Sequence, residues 1–151
     1  MKFSITSIIA FVAIAFANLT HADQSCGIEL NKGNTQSIAH EIAGHALDPD
    51  NKHVGDFANP DAKKPGKKTL PWKLSKQTDL GQFISDIMLE LPVASRDGNT
   101  PLKVKKRELS NGRTAWVEIN TGTFVVYEPT NVDCGSAYRR DHAEDYWKNR
   151  K

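Results

Sequence analysis

Imidazoles are the groups in this chain best suited to proton chemistry, because histidine changes charge near neutral pH. Of five histidines, three fall within the stretch HEIAGHALDPDNKH, at His40, His45 and His53, while His142 lies near the other end. Two kinds of chemistry fit such a cluster. One is metal-assisted hydrolysis, since His40-Glu41 begins like the zincin motif H-E-x-x-H. Here the fifth position is Gly44, and the second histidine comes one residue late. At about 100° per residue, five steps carry His45 about 140° around a helix from His40, against about 40° for four steps. The two imidazoles would share one ion only if the helix broke at Gly44.

The other is acid–base catalysis without metal. RNA cleavage by its own 2′-hydroxyl needs a base for that proton, an acid for the leaving 5′-oxygen, and donors around the phosphorane. Two histidines can make both proton transfers, and an arginine and a hydroxyl can stabilise the developing charge. Gly44-His45 and Lys52-His53-Val54 supply imidazoles and a cation. Arg113 stands at the start of an expected strand, and Ser136 and Tyr138, two apart on another, point to one face. This reading makes His45, His53, Arg113, Ser136 and Tyr138 the catalytic candidates, with Lys52 and Arg139 binding phosphate. It calls for no metal and no cofactor.

The elements that must position these groups are legible. Residues 35–47 carry a narrow apolar stripe of Ile38, Ala39, Ile42, Ala43 and Ala46, which predicts a helix capped by Asn34 or Thr35. From Asp48 to Lys68 the chain is polar, with prolines, glycines and a cluster of Lys63, Lys64, Lys67 and Lys68, and reads as a long exposed loop. Leu80, Phe83, Ile84, Ile87, Met88 and Leu91 form a continuous face over 78–91, a second helix with Thr78 as N-cap and Pro92 as stop. The period then falls to two. Strands are expected at 102–109, 113–119, 123–128 and a short fourth at 135–139. Ser110-Asn111-Gly112 and Asn120-Thr121-Gly122 are the turns between the first three. Asp141 and Glu144 resemble a capping box for a last helix at 142–149. Helices followed by a meander of three to four antiparallel strands make the class α+β.

At the N-terminus, Lys2, the apolar run Phe3 to Phe16 and the small residues Thr20 and Ala22 have the form of a secretory signal over residues 1–22, with an apolar core too short for an ordinary span. That leaves 23–151 as a single domain, secreted to the periplasm or beyond the cell and free of the membrane. The two cysteines, Cys26 and Cys134, then make one structural disulfide. The chain of 151 residues is 38% hydrophobic and 25% charged, with net charge +2, which excludes a disordered tail, a collagen-like fibre and a polybasic nucleic-acid-coating protein. An anionic partner must be held by local placement of charge.

The succession Gly-His-Ala, Lys-His-Val, a helix, Leu-Ser-Asn-Gly-Arg-Thr-Ala-Trp, Thr-Gly-Thr-Phe-Val-Val and Cys-Gly-Ser-Ala-Tyr-Arg resembles the C-terminal nuclease domains of bacterial polymorphic and contact-dependent inhibition toxins. These are the barnase/EndoU/colicin/RelE-like group and its RNase A-like relatives. The likeness covers about residues 38–140. It implies a helix-then-sheet fold and metal-independent endoribonuclease activity, with RNA as substrate, a cognate immunity-type inhibitor as partner, and a monomer. Such toxins use a histidine, a basic residue and a Thr-x-Tyr pair. Carried over, these are His45 or His53, Arg113 or Lys52, and Ser136 with Tyr138, serine standing where threonine is usual. Two other readings stay open: a catalytically inactive binding or inhibitor module on the same fold, and a zinc-dependent hydrolase using His40, Glu41 and His45.

Overall fold

The computed structural model describes residues 26–53, 55–58, 74–91 and 102–149. The expected signal segment, the lysine cluster of residues 63–68 and Pro92 lie outside the described residues. The elements run α1 (Thr35–Ala46), α2 (Gly55–Ala58), α3 (Gln77–Met88), β1 (Val104–Glu108), β2 (Thr114–Glu118), β3 (Thr123–Tyr127), β4 (Gly135–Arg139) and α4 (Ala143–Asn149). The strands form one antiparallel sheet in the order β1-β2-β3-β4. The class is α+β.

Both long helices bury the stripes their sequences carry. Ile38, Ala39, Ile42, Ala43 and Ala46 of α1 pack with Leu80, Phe83, Ile84 and Ile87 of α3, all essentially without solvent exposure. The helices approach closely because Gly81 has no side chain: a Cβ there would lie 3.3 Å from the His40 Cα. The other side of this core is one face of the sheet, contributing Trp116, Val125, Tyr127 and Ala137.

Side chains alternate across a strand, so the opposite face carries Ala115, Val117, Phe124 and Tyr138, against which α4 lays Ala143 and Trp147. The register lines up two rows on that outer face. Arg107 pairs with Ala115, Ala115 with Val126, and Val126 with Ser136; the neighbouring row is Lys105, Val117, Phe124 and Tyr138.

The hairpin between β2 and β3 is held from inside by a carboxylate. Glu118 is 0% exposed, yet accepts from the backbone N–H of Lys103, Asn120 and Thr121 and from the Thr121 hydroxyl, at 2.6–3.0 Å. A buried carboxylate is tolerable when this many donors replace its hydration. Gly122 completes the turn at φ +71°, and a Cβ there would come within 2.4 Å of the Arg140 carbonyl. The Arg140 N–H in turn donates to the Gly122 carbonyl at 2.9 Å.

Several boundaries depart from the sequence expectation. The second helix starts at Gln77 with Lys76, not Thr78, at the N-cap, and ends at Met88. Glu90 takes a positive φ of 52°, and Leu91 falls past the helix with 37% exposure. The expected capping box does not close on α4, because Glu144 turns to the Lys105 ammonium on β1 at 3.0 Å. The stretch after Asp48 is not uniformly an exposed loop: α2 interrupts it and buries Asp56 and Phe57. A short helix with one aromatic anchor gives too little periodicity to be seen in a polar segment.

Cys26 and Cys134 form the expected disulfide, with Cα atoms 4.8 Å apart and a separation of 108 positions in sequence. The first described segment is also sewn down by the Tyr127 hydroxyl donating to the Ile28 carbonyl at 2.7 Å, and by the Cys26 N–H to the Asn131 carbonyl at 2.9 Å. Constraint of so long a loop in the unfolded chain stabilises by about 4–5 kcal/mol. The double variant Cys26→Ser/Cys134→Ser is therefore expected to lose about that much in urea-induced unfolding; a loss under about 1 kcal/mol would mean that the non-covalent contacts suffice.

Candidate active site

A cleft of about 500 Å³ opens where the C-terminal end of α1 and the chain after it meet the edge strand β4. His45 and His53 come from the helical side, Ser136 and Tyr138 from β4, and Arg140 from the residue after it, all lining the cleft. Lys52 and Arg113 line it too. Six of the residues singled out from sequence therefore converge: His45, His53, Lys52, Arg113, Ser136 and Tyr138.

The two histidines are held together by an amide between them. The Asn51 side chain accepts from the His53 N–H at 2.8 Å and donates to the His45 carbonyl at 2.9 Å. The first bond makes an Asx turn, which Asn is suited to form; the second folds the chain back onto the end of α1. Each imidazole also faces a carboxylate through the same ring nitrogen. His45 Nδ1 lies 3.1 Å from Asp133 Oδ2, and His53 Nδ1 lies 3.4 Å from Asp56 Oδ2. A carboxylate at Nδ1 favours the tautomer with its proton there, leaving Nε2 as the nitrogen that exchanges protons.

Burial lowers the pKa of His53, and Lys52 and Arg140 push the same way, while Asp56 opposes them by charge and hydrogen bonding. The result is an imidazole kept neutral, available as a base, beside cations that can hold an anion. Its ring stacks on Tyr138 with centroids 5.3 Å apart, and Tyr138 stacks on Phe124 at 5.4 Å. The Arg140 guanidinium sits 5.4 Å from the centres of both the Tyr138 and Tyr146 rings, a cation–π arrangement that fixes its place at the cleft. Arg113 is braced by Ser110, whose carbonyl accepts from Nε at 3.2 Å. Glu128 adds a carboxylate to the same cleft.

Arg139, expected at the phosphate, is elsewhere. It is 3% exposed and points to the inner face, where its guanidinium donates to the carbonyls of Thr121 and Asp56 at 3.1 and 3.2 Å. Its backbone N–H donates to Asp56 Oδ2 at 2.9 Å. Alternation along β4 put the neighbouring arginine, Arg140, into the cleft in its place. Continuing the period of two from Ser136 and Tyr138 points to Arg140. Asn51 and Asp56, two before and three after His53, carry the weaker signal of local turn chemistry. Asp133 is remote from His45 in sequence, and only the fold brings the two together.

α1 runs unbroken through Gly44, so His40 and His45 keep their separate directions. His40 is exposed, while His45 turns to Asp133. Among the described residues, no group of three or more His, Cys, Asp or Glu side chains is placed to share a metal ion. No described helix is long and apolar enough to cross a membrane. No family model matches the chain, and neither a curated protein nor a solved structure matches it significantly.

His53 is expected to titrate below 6.5, followed by its ring proton resonances. The stability that goes with its neutral form is complete above about pH 6.5 and is lost as the pH falls from there through the lower folded value. Asp56→Asn removes the group that raises this pKa, so His53 should titrate lower still. An unchanged titration would show that Asp56 does not act on this ring.

Proposed function

We propose that the protein is an exported, metal-independent endoribonuclease that cleaves RNA by transesterification. The observation that carries this reading is the convergence, in one cleft, of two carboxylate-oriented imidazoles with Lys52, Arg113 and Arg140. The 2′-oxygen attacks phosphorus and the bond from phosphorus to the 5′-oxygen breaks, giving a 2′,3′-cyclic phosphate and a free 5′-hydroxyl. His53, kept neutral, takes the 2′-proton on Nε2. His45 donates a proton to the departing 5′-oxygen. Arg113, Arg140 and Lys52 hold the phosphoryl oxygens as charge grows on them, and the Ser136 and Tyr138 hydroxyls add neutral donors.

Local charge is what makes such a cleft suitable. The whole chain is only slightly basic, at +2, so affinity for RNA rests on the few cations at the cleft and falls with salt accordingly. The disulfide and the signal-like first 22 residues together support export to an oxidising compartment. The likeness to bacterial toxin ribonucleases adds an immunity-type inhibitor as the partner to seek.

Purified oxidised protein is expected to cleave RNA in the presence of EDTA and to leave 2′,3′-cyclic phosphate ends. His45→Ala and His53→Ala should each lower kcat by about 10²- to 10⁴-fold, the range for a lost general acid or base, with unfolding curves showing the variants folded. Cleavage abolished by EDTA would point to a hydrolytic metal, and no cleavage of any RNA would favour a binding module on this fold.

A further inference from the structure

A second cavity, of about 490 Å³, adjoins the cleft along the outer face of the sheet. Arg113, Val126 and Tyr138 line both spaces, so the two are one trough with a polar and an apolar half. The floor of the apolar half is set by register: Ala115 and Val126 are cross-strand partners, both small, between the larger Phe124, Tyr138 and Trp147. α4 covers the rest of this face but leaves that strip open. Arg107 lies over the Trp147 ring at 4.6 Å from its centroid, closing the far wall with a flat cation.

We infer that this apolar half is the binding site for a nucleobase of the RNA, the one next to the phosphate held in the cleft. The inference rests on the ribonuclease reading for the identity of the ligand. A nucleobase is a flat, largely apolar ring with hydrogen-bonding edges, tethered about one sugar away from a phosphate. The trough offers the matching sequence of surfaces: cations and imidazoles at one end, a small-residue floor with aromatic walls at the other. At its rim stand the Ser110 hydroxyl and the Arg113 guanidinium, which can meet acceptors and donors on a base edge. Burial against aromatic side chains is the usual source of affinity for single-stranded bases. Arg113 spans the join, so the group that would hold the phosphate also bounds the base site.

Ala115 is the residue to change, because it floors the apolar half and does not line the catalytic cleft. Wild-type protein and Ala115→Leu are titrated by calorimetry with nucleoside 3′-monophosphates and with inorganic phosphate, and their RNA cleavage is measured on the same preparations. The wild type is expected to bind a nucleoside monophosphate at least tenfold more tightly than phosphate. Ala115→Leu should reduce that preference to twofold or less, leave phosphate affinity unchanged, and slow RNA cleavage. Ala115→Val, which adds less volume, should fall between and guards against a folding defect in the larger variant. Nucleotide bound no more tightly than phosphate, or a preference that survives Ala115→Leu, overturns the base site. Wild-type protein that prefers nucleotides but cleaves no RNA would overturn the ribonuclease reading and leave the base site standing.

Discussion

One buried carboxylate joins the two halves of the molecule. Asp56 sits on the short helix α2, 5% exposed, between the edge of β4 and the ring of His53. Its Oδ2 accepts the Arg139 backbone N–H, its carbonyl accepts from the Arg139 guanidinium, and the same Oδ2 faces His53 Nδ1. An edge strand exposes backbone groups that need partners, and Asp56 supplies one while carrying the helical side of the cleft to the sheet. Asp56 thereby ties His53, already held by the Asn51 turn and stacked on Tyr138, to the edge of the sheet.

The arrangement explains why an arginine is buried beside it. Arg139 is the counter-charge for Asp56, and through Thr121 it is linked to Glu118, whose carboxylate shapes the hairpin between β2 and β3. Each charge in this chain of contacts is hydrogen-bonded, which is the condition for keeping ions out of water. The consequence is directional. An inner network of two acids and one arginine holds the backbone of β4, so that Ser136 and Tyr138, and Arg140 just past the strand, are aimed outward at the cleft. Positioning and proposed chemistry sit on opposite faces of one strand.

The disulfide acts at the same place from another direction. Cys134 precedes β4 and follows Asp133, the carboxylate facing His45. Bonding to Cys26 fixes the entry to β4, while the Asp56 contact fixes its end. The strand that carries Ser136 and Tyr138 and leads into Arg140 is thus anchored at both ends, one covalently and one by charge-assisted hydrogen bonds. Such anchoring matters for the proposed chemistry, because groups that act together on one phosphate must hold their separations closely.

Much of this molecule was legible from sequence because the signals are local. The stripes on α1 and α3, the period of two in the strands, the glycine turns and the single pair of cysteines depend on neighbours a few residues away, and physics at that range is written in spacing. The same holds for six of the residues lining the cleft, whose types alone marked them. Helix ends were less legible: Thr78 has the chemistry of a cap, but packing of α3 on α1 started the helix one residue before it. The choice between Arg139 and Arg140, the burial of Asp56 and Phe57 inside a polar stretch, and the approach of Asp133 to His45 came only from the fold. Those are decided by which face of β4 meets the core and by contacts between residues far apart in the chain. The sequence by itself determined the long helices, the strands and which side-chain types are suited to proton and anion chemistry; the tertiary structure decided which of those side chains face one another, because burial and long-range pairing are properties of the assembled chain.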